Sequence, residues 1–195
     1  METDLQPREI RLASLEVALR EAQSPNGDGA AFADIIQSQQ AMVFSIAWRY
    51  LNDRALAEDL AQEVFLELYQ RLADIKSASH LIYWLRRVAV HRCIDQGRRR
   101  KHRSEQALDD TPEPVHEVPD ADPLLLANLH GSLADLPDRQ RMMVVLRYQE
   151  GLGPAEIAEV MKVPVNTVKS TLHRSLEELR KKLSRRLGEV RYAFF

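Results

Sequence analysis

The sequence predicts an all-α fold: two small helical domains joined by an acidic, proline-rich linker, the C-terminal domain carrying a helix-turn-helix. Three observations predict it. Apolar residues recur at helical spacing along most of the chain, and no strand-like alternation bounded by turn signals appears. The 7 Gly and 9 Pro are few and clustered, so breaks between helices are short and local. Midway, "SEQALDDTPEPVHEVPDADP" carries four prolines and seven acids. High charge, low hydrophobicity and repeated proline make an extended tether rather than a packed element.

The elements follow in order. An amphipathic helix over about Pro7 to Gln23 ends in the turn-rich "SPNGDG". A second, about Ala31 to Leu51, carries Phe32, Ile35, Ile36, Met42, Val43, Ile46 and Ala47 on its inner side. After "NDR" a third runs from about Ala55 to Leu72, with Leu56, Leu60, Val64, Phe65 and Leu68 inside. "ADIKSAS" is a loop, and a fourth helix starts near His80 and runs into the basic "RRRKHR". Beyond the linker, helices are expected over about Pro123 to Ala134, Pro137 to Glu150, Pro154 to Met161 and Val165 to Leu187. The resulting layout is an N-terminal extension (1–30), a helical domain (31–103), the linker (104–122), a second helical domain (123–188) and a tail (189–195). No internal repeat is evident.

Forty-five per cent hydrophobic residues supply enough apolar surface for cores. No apolar run reaches the roughly 18 residues of a membrane span, and "METDLQPREIRLASLEVALREAQ" is too charged for a signal peptide. Cys93 is the one cysteine, which excludes an intrachain disulfide and a cysteine zinc cluster. A cytoplasmic protein is expected. The net charge of −2 hides a segregation: residues 86–103 hold 8 basic side chains against Asp95, residues 104–122 hold seven acids and no Lys or Arg, and residues 162–191 hold 9 basic against 3 acidic. Two basic segments divided by an acidic one suit a protein that touches one polyanion at two places.

The last two helices, separated by "KVPVNT", read as a helix-turn-helix. Pro164 sits just before a helix and Asn166 or Thr167 can cap it. The apolar set of the second helix is Val165, Val168, Leu172, Leu176 and Leu179. The outward set is Asn166, Thr167, Lys169, Ser170, Thr171, His173 and Arg174, with no acid until Glu177. A face so rich in donors fits the DNA major groove, where Arg reads guanine and Lys neutralises phosphate. An ordinary helical hairpin with a solvated basic face is the other reading.

On the fourth helix, Ile82, Leu85, Ala89 and Cys93 form the expected inner stripe, and Trp84, Arg87, His91 and Arg98 an outer one. Aromatic residues beside Arg suit melted nucleic acid, where a base is free to stack; a Trp buried at a helix start is the alternative. The third helix carries Asp59, Gln62, Glu63 and Glu67 opposite its apolar stripe. That flank is either a solvated acidic face or a docking face for a basic partner. No metal or cofactor is expected: the six histidines are scattered without a ligand pattern. No phosphate loop, dinucleotide turn or nucleophile motif is present, so binding rather than enzymatic chemistry is expected.

Taken together, "AEDLAQEVFLELYQRL", "LIYWLRRVAVHRCIDQGRRR" and "LADLPDRQRMMVVLRYQEGLGPAEIAEVMKVPVNTVKSTLHRSLEELR" resemble the two-domain sigma factors of bacterial RNA polymerase, the extracytoplasmic-function type. The resemblance spans about Phe32 to Leu183. It implies that Asp59, Gln62 and Glu63 dock on core RNA polymerase. It implies that Lys76 to His80, Trp84, Arg87 and His91, with Arg98 further along the same stripe, lie near the melted minus-ten promoter DNA, where one base is captured outside the stack. It further implies that Lys169, Ser170, Thr171 and Arg174 read the minus-thirty-five element, and that the acidic linker threads toward the polymerase active-site channel. An anti-sigma factor wedged between the domains holds many relatives inactive and is a candidate partner here.

Three residues depart from the family pattern: His91 stands where Asn is common, Asn166 where Gly is common, and Thr171 where Arg is common. The last removes an expected base contact and predicts an altered promoter element. Two other readings compete. One is a stand-alone helix-turn-helix transcriptional regulator with Met1 to His102 as a sensing or dimerisation domain; the other is a metal-dependent nucleic-acid enzyme using Asp59, Glu63 and Glu67. The segment Met1 to Gly29 and the apolar tail "RYAFF" lie outside the resemblance.

Overall fold

The computed structural model describes residues 7–25, 29–104, 129 and 131–187. Among them there is no strand. The helices are α1 (Pro7–Ala22), α2 (Gly29–Leu51), α3 (Arg54–Gln70), α4 (Ala78–Ser104), α5 (Asp138–Tyr148), α6 (Pro154–Met161) and α7 (Val165–Leu187), with a 3₁₀ turn at Leu72–Asp74. The expected linker beyond Ser104 and the tail lie outside the described residues, as does most of the expected helix over 123–134, of which residues 129 and 131–134 are helical. The chain divides into two compact units, Met1–Cys93 and Ile94–Phe195, and the division falls inside α4.

In the first unit α2 packs on both α1 and α3. Leu15 and Leu19 of α1, Ile35, Val43, Ile46 and Tyr50 of α2, and Leu60, Val64 and Leu68 of α3 are buried, each set recurring at the spacing of one helix face. Two boundaries follow from local chemistry. Asn52 takes a left-handed conformation (φ 52°) that stops α2, a role Asn fills more readily than most residues. Asp53 then caps α3, its side chain accepting the Leu56 N–H at 3.0 Å. On α4 the buried stripe is Leu81, Leu85, Ala89, Val90, Cys93 and Ile94. The expected stripe is thus corrected by one residue at its start: Leu81 is enclosed and Ile82 only half-buried.

In the second unit α5, α6 and α7 pack on one another. The five consecutive residues Met142 to Leu146 are all buried, so the middle of α5 is enclosed on every side rather than along one stripe. Pro154 occupies the first turn of α6, and the Glu156 carboxylate reaches back to accept the Gly153 N–H at 2.8 Å. At the other end of α6 the Lys162 N–H donates to Glu159 O at 3.3 Å and the Val163 N–H to Ala158 O at 3.1 Å, the two bonds of a Schellman stop. Lys162 itself is left-handed, at φ 52° and ψ 54°. A side chain there crowds the following carbonyl. Replacing Lys162 by Gly is expected to stabilise the protein by about 0.5–1 kcal/mol, the relief of strain partly offset by the entropy of glycine. A raised denaturant midpoint at unchanged slope is the measurement that checks it.

Candidate polymerase and nucleic-acid interfaces

The turn between α6 and α7 is set by Pro164, whose carbonyl accepts the N–H of Thr167 at 2.9 Å and of Val168 at 3.2 Å. Asn166 and Thr167 therefore stand in the first turn of α7, past the cap position expected for them, and both are exposed. Lys169, Ser170, His173 and Arg174 are exposed beside them. The Ser170 hydroxyl donates to Thr167 O at 3.1 Å and Arg174 Nε to Ser170 O at 3.3 Å, which hold both side chains along the helix surface. His173 sits 3.9 Å from Glu177.

Thr171 does not share this face. It is 8% exposed and lies with Val168, Leu172, Ser175 and Leu179 on the buried stripe, three residues after Val168 and four before Ser175. The expectation that it points outward is corrected, and with it the argument for an altered promoter base opposite Thr171. Val165 is corrected in the other sense: expected inside, it is 38% exposed, because the helix begins there and no preceding turn covers it.

On α4, Trp84 and Arg87 are half-buried, and His91 and Arg98 are exposed along the same helix. Trp84 is thus neither a core residue nor a free one. The loop before α4 presents Lys76, and His80 follows it in the first turn of the helix. The two imidazoles hold their protons differently. His80 Nδ1 accepts the Lys76 N–H at 3.1 Å, so the neutral ring carries its proton on Nε2 and offers a donor. His91 Nδ1 lies 2.7 Å from Arg87 O and donates to that carbonyl, so in the neutral ring Nε2 is the acceptor.

On α3, Asp59, Gln62 and Glu63 are exposed together. Glu63 is not isolated: Arg92 of α4 pairs with it and also with Glu67 at 2.7 Å. The acidic flank is therefore partly neutralised from within the unit, and Asp59 and Gln62 are its outer members. Among the described residues no group of His, Cys, Asp or Glu is arranged to hold a metal ion.

Beside this flank lies an apolar surface that sequence reasoning missed. An open groove of about 860 Å³ runs between α2 and α3, lined by Phe32, Ile36, Phe44, Phe65, Leu66 and Tyr69 together with Gln62 and the ion-paired Arg54 and Glu58. Leu66 and Tyr69 are 63% and 65% exposed, and Phe32 and Tyr69 meet edge to face at 5.2 Å. The signal was present: both residues fall off the buried stripe of Val64 and Leu68, so a second apolar strip shares α3 with the first.

Residues 35–103 match the family model for Sigma-70 region 2, and residues 126–179 match that for Sigma-70 region 4. The chain is 31% identical over 176 residues to the ECF RNA polymerase sigma factor SigW of Bacillus subtilis, an alignment covering 83% of this chain and 93% of that protein. It is 29% identical over 177 residues to the RNA polymerase sigma-H factor of Pseudomonas aeruginosa, covering 84% and 92%. Among solved structures, CnrH in complex with the cytosolic domain of CnrY has a TM-score of 0.65 at 21% identity, covering 89% of this chain and 98% of that one. The sigma factor RpoE of Bartonella quintana, in complex with the anti-sigma factor NepR, has a TM-score of 0.63 at 19% identity, covering 82% and 98%. With region 2 and region 4 both matched in order, and a relative above 30% identity aligned over nearly its whole length, the chain belongs to the extracytoplasmic-function sigma factors of bacterial RNA polymerase.

Proposed function

We propose that this alternative sigma factor works through three faces. Core RNA polymerase docks on the α3 flank of Asp59, Gln62 and Glu63 and on the apolar groove beside it. The melted minus-ten element lies along Lys76, His80, Trp84, Arg87, His91 and Arg98. The minus-thirty-five element meets Asn166, Thr167, Lys169, Ser170, His173 and Arg174, while buried Thr171 supports that face from below. The carrying observation is the acid-free, exposed first half of the α7 face in a chain that also matches region 2. A stand-alone regulator has no need of region 2, and the match disfavours that reading.

The working layout keeps residues 31–103 as the polymerase and minus-ten domain, 104–122 as the acidic linker toward the active-site channel and 123–188 as the minus-thirty-five domain. The matched segments 35–103 and 126–179 support it. The chain acts in the cytoplasm by binding, without chemistry of its own. No helix among the described residues is long and apolar enough to cross a membrane. An anti-sigma factor is a candidate partner, since RpoE of Bartonella quintana, which shares this fold, was solved in complex with the anti-sigma factor NepR.

The test is run-off transcription with the purified chain and bacterial core polymerase on a promoter library. Initiation is expected only when the chain is added. If the chain fails to bind core polymerase yet binds an operator alone, the regulator reading replaces this one. Asp59→Arg is expected to weaken core binding at least about tenfold, because the reversed charge meets a basic partner at contact distance; a fluorescence titration of core polymerase reads it. Arg174→Ala and Lys169→Ala separate base reading from phosphate contact. The first is expected to lower affinity for the selected promoter about tenfold or more and to relax preference at one base. The second is expected to weaken all promoters alike and to reduce the salt slope of binding by about one.

A further inference from the structure

None of the proposed ligand faces uses α1, yet α1 is fastened to the segment that leads into α4. Gln23, next after the last residue of α1, donates from Nε2 to the carbonyl oxygens of Leu72 at 2.7 Å and Ile75 at 2.8 Å. Two turns earlier, Glu16 accepts the backbone N–H of Ala78 at 2.6 Å. Leu72 opens the 3₁₀ turn and Ala78 opens α4, so α1 holds both ends of the connection between α3 and α4.

The chemistry at each end is specific. A primary amide offers two hydrogens in one plane, and Gln23 uses its nitrogen on the Ile75 carbonyl and on that of Leu72, which also accepts the Ile75 N–H at 3.2 Å. At the other end Glu16 fills one of the orphan donors of the α4 N-terminus, where a carboxylate also opposes the helix dipole favourably. The Ser77 hydroxyl accepts a second, the His80 N–H, at 3.2 Å.

The central point is the peptide group joining Ile75 to Lys76. Its carbonyl accepts from Gln23, and its N–H donates to His80 Nδ1. One peptide plane is thereby fixed from both sides, and the bonds polarise each other in series. Its orientation sets where the Lys76 side chain departs and keeps the His80 proton on Nε2. Rotating that plane would misplace both residues without touching the α3 flank.

We infer that Gln23 and Glu16 are positioning residues for minus-ten selection: through the Ile75–Lys76 peptide, α1 sets the pose of Lys76 and His80. The inference rests on the reading of this loop and α4 as the minus-ten surface. It assigns to the N-terminal helix a part in base choice rather than in polymerase docking.

The experiment uses holoenzyme reconstituted from the full chain and bacterial core polymerase. The probe is an upstream fork DNA whose single-stranded minus-ten bases are varied one at a time. Core affinity is titrated in parallel. Gln23→Met keeps the length and removes the donors; Gln23→Lys restores donors of another kind; Glu16→Leu breaks the other end; Lys76→Ala and His80→Ala test the surface itself. The expected result is a base preference at one minus-ten position reduced about tenfold in Gln23→Met, as for loss of two net hydrogen bonds. Glu16→Leu moves it in the same direction, Gln23→Lys recovers most of it, and core affinity stays within about twofold throughout. Unchanged preference in Gln23→Met and Glu16→Leu, with altered preference in Lys76→Ala or His80→Ala, overturns the positioning role and leaves the minus-ten reading standing. Unchanged preference in Lys76→Ala and His80→Ala overturns that reading, and the positioning role with it. Core affinity lost in Gln23→Met and not rescued in Gln23→Lys also overturns the inference, since α1 would then only hold the unit together.

Discussion

Every helix proposed to face a ligand must close a core with one side and recognise with the other, and the helical repeat leaves little room to adjust either. On α7 the core takes Val168, Thr171, Leu172, Ser175 and Leu179. What remains in the first two turns is a strip from Asn166 to Arg174, and any residue added to one side is taken from the other. Thr171 shows the boundary. Its hydroxyl is a competent hydrogen-bonding group, but the register of the helix gives it to the interior. Recognition by this domain is thus limited by packing before it is limited by side-chain chemistry.

The first unit meets the same constraint with an added tie. Arg92 reaches from α4 to Glu63 and Glu67 of α3, joining the helix proposed for DNA to the helix proposed for polymerase. Partly exposed ion pairs contribute little to stability on average, so the tie matters more for registry than for energy. In the proposed docking mode Glu63 would meet polymerase already paired, and a basic partner would have to compete with Arg92 for it. The apolar groove next to this flank needs no such exchange. Burial of Leu66 and Tyr69 there would supply binding energy by area, at roughly 25 cal/mol per Å², while the acids orient the encounter.

How much was legible in the sequence depends on how local the determinant is. Helix limits were legible to within a residue because Pro154 and Pro164 act on their own neighbours, although the Asp53 cap of α3 went unread and the cap expected at Asn166 or Thr167 falls inside α7. The core stripes of α2 and α3 were legible from spacing at Ile35, Val43, Ile46, Leu60, Val64 and Leu68, but Phe32, Ile36, Met42 and Leu56, expected inside, are only half-buried. The start of α4 was not, because Leu81 and Ile82 are both apolar and adjacent, and only the packing of α4 against the rest of the unit chooses between them. Thr171 was misassigned because a small polar residue fits either side of a stripe. Contacts of Gln23 with Leu72 and Ile75 join residues about fifty apart in the chain, and no periodicity reports such a pairing. The groove lay between these cases, since its α3 half was visible as spare apolar residues but its α2 half needed the helix pair.

Cys93 sits on the inner side of α4, wholly enclosed and free of any disulfide. A buried thiol is unreactive until the structure around it opens. The only sulfhydryl in the chain therefore doubles as a built-in clock for the helix proposed to meet the melted minus-ten element. Its rate of alkylation by a dilute thiol reagent reports how often α4 lifts from its core, residue by residue silent everywhere else. Binding of core polymerase or promoter DNA to the opposite side of that helix would slow the clock by the ratio of opening probabilities, without any label having to be introduced.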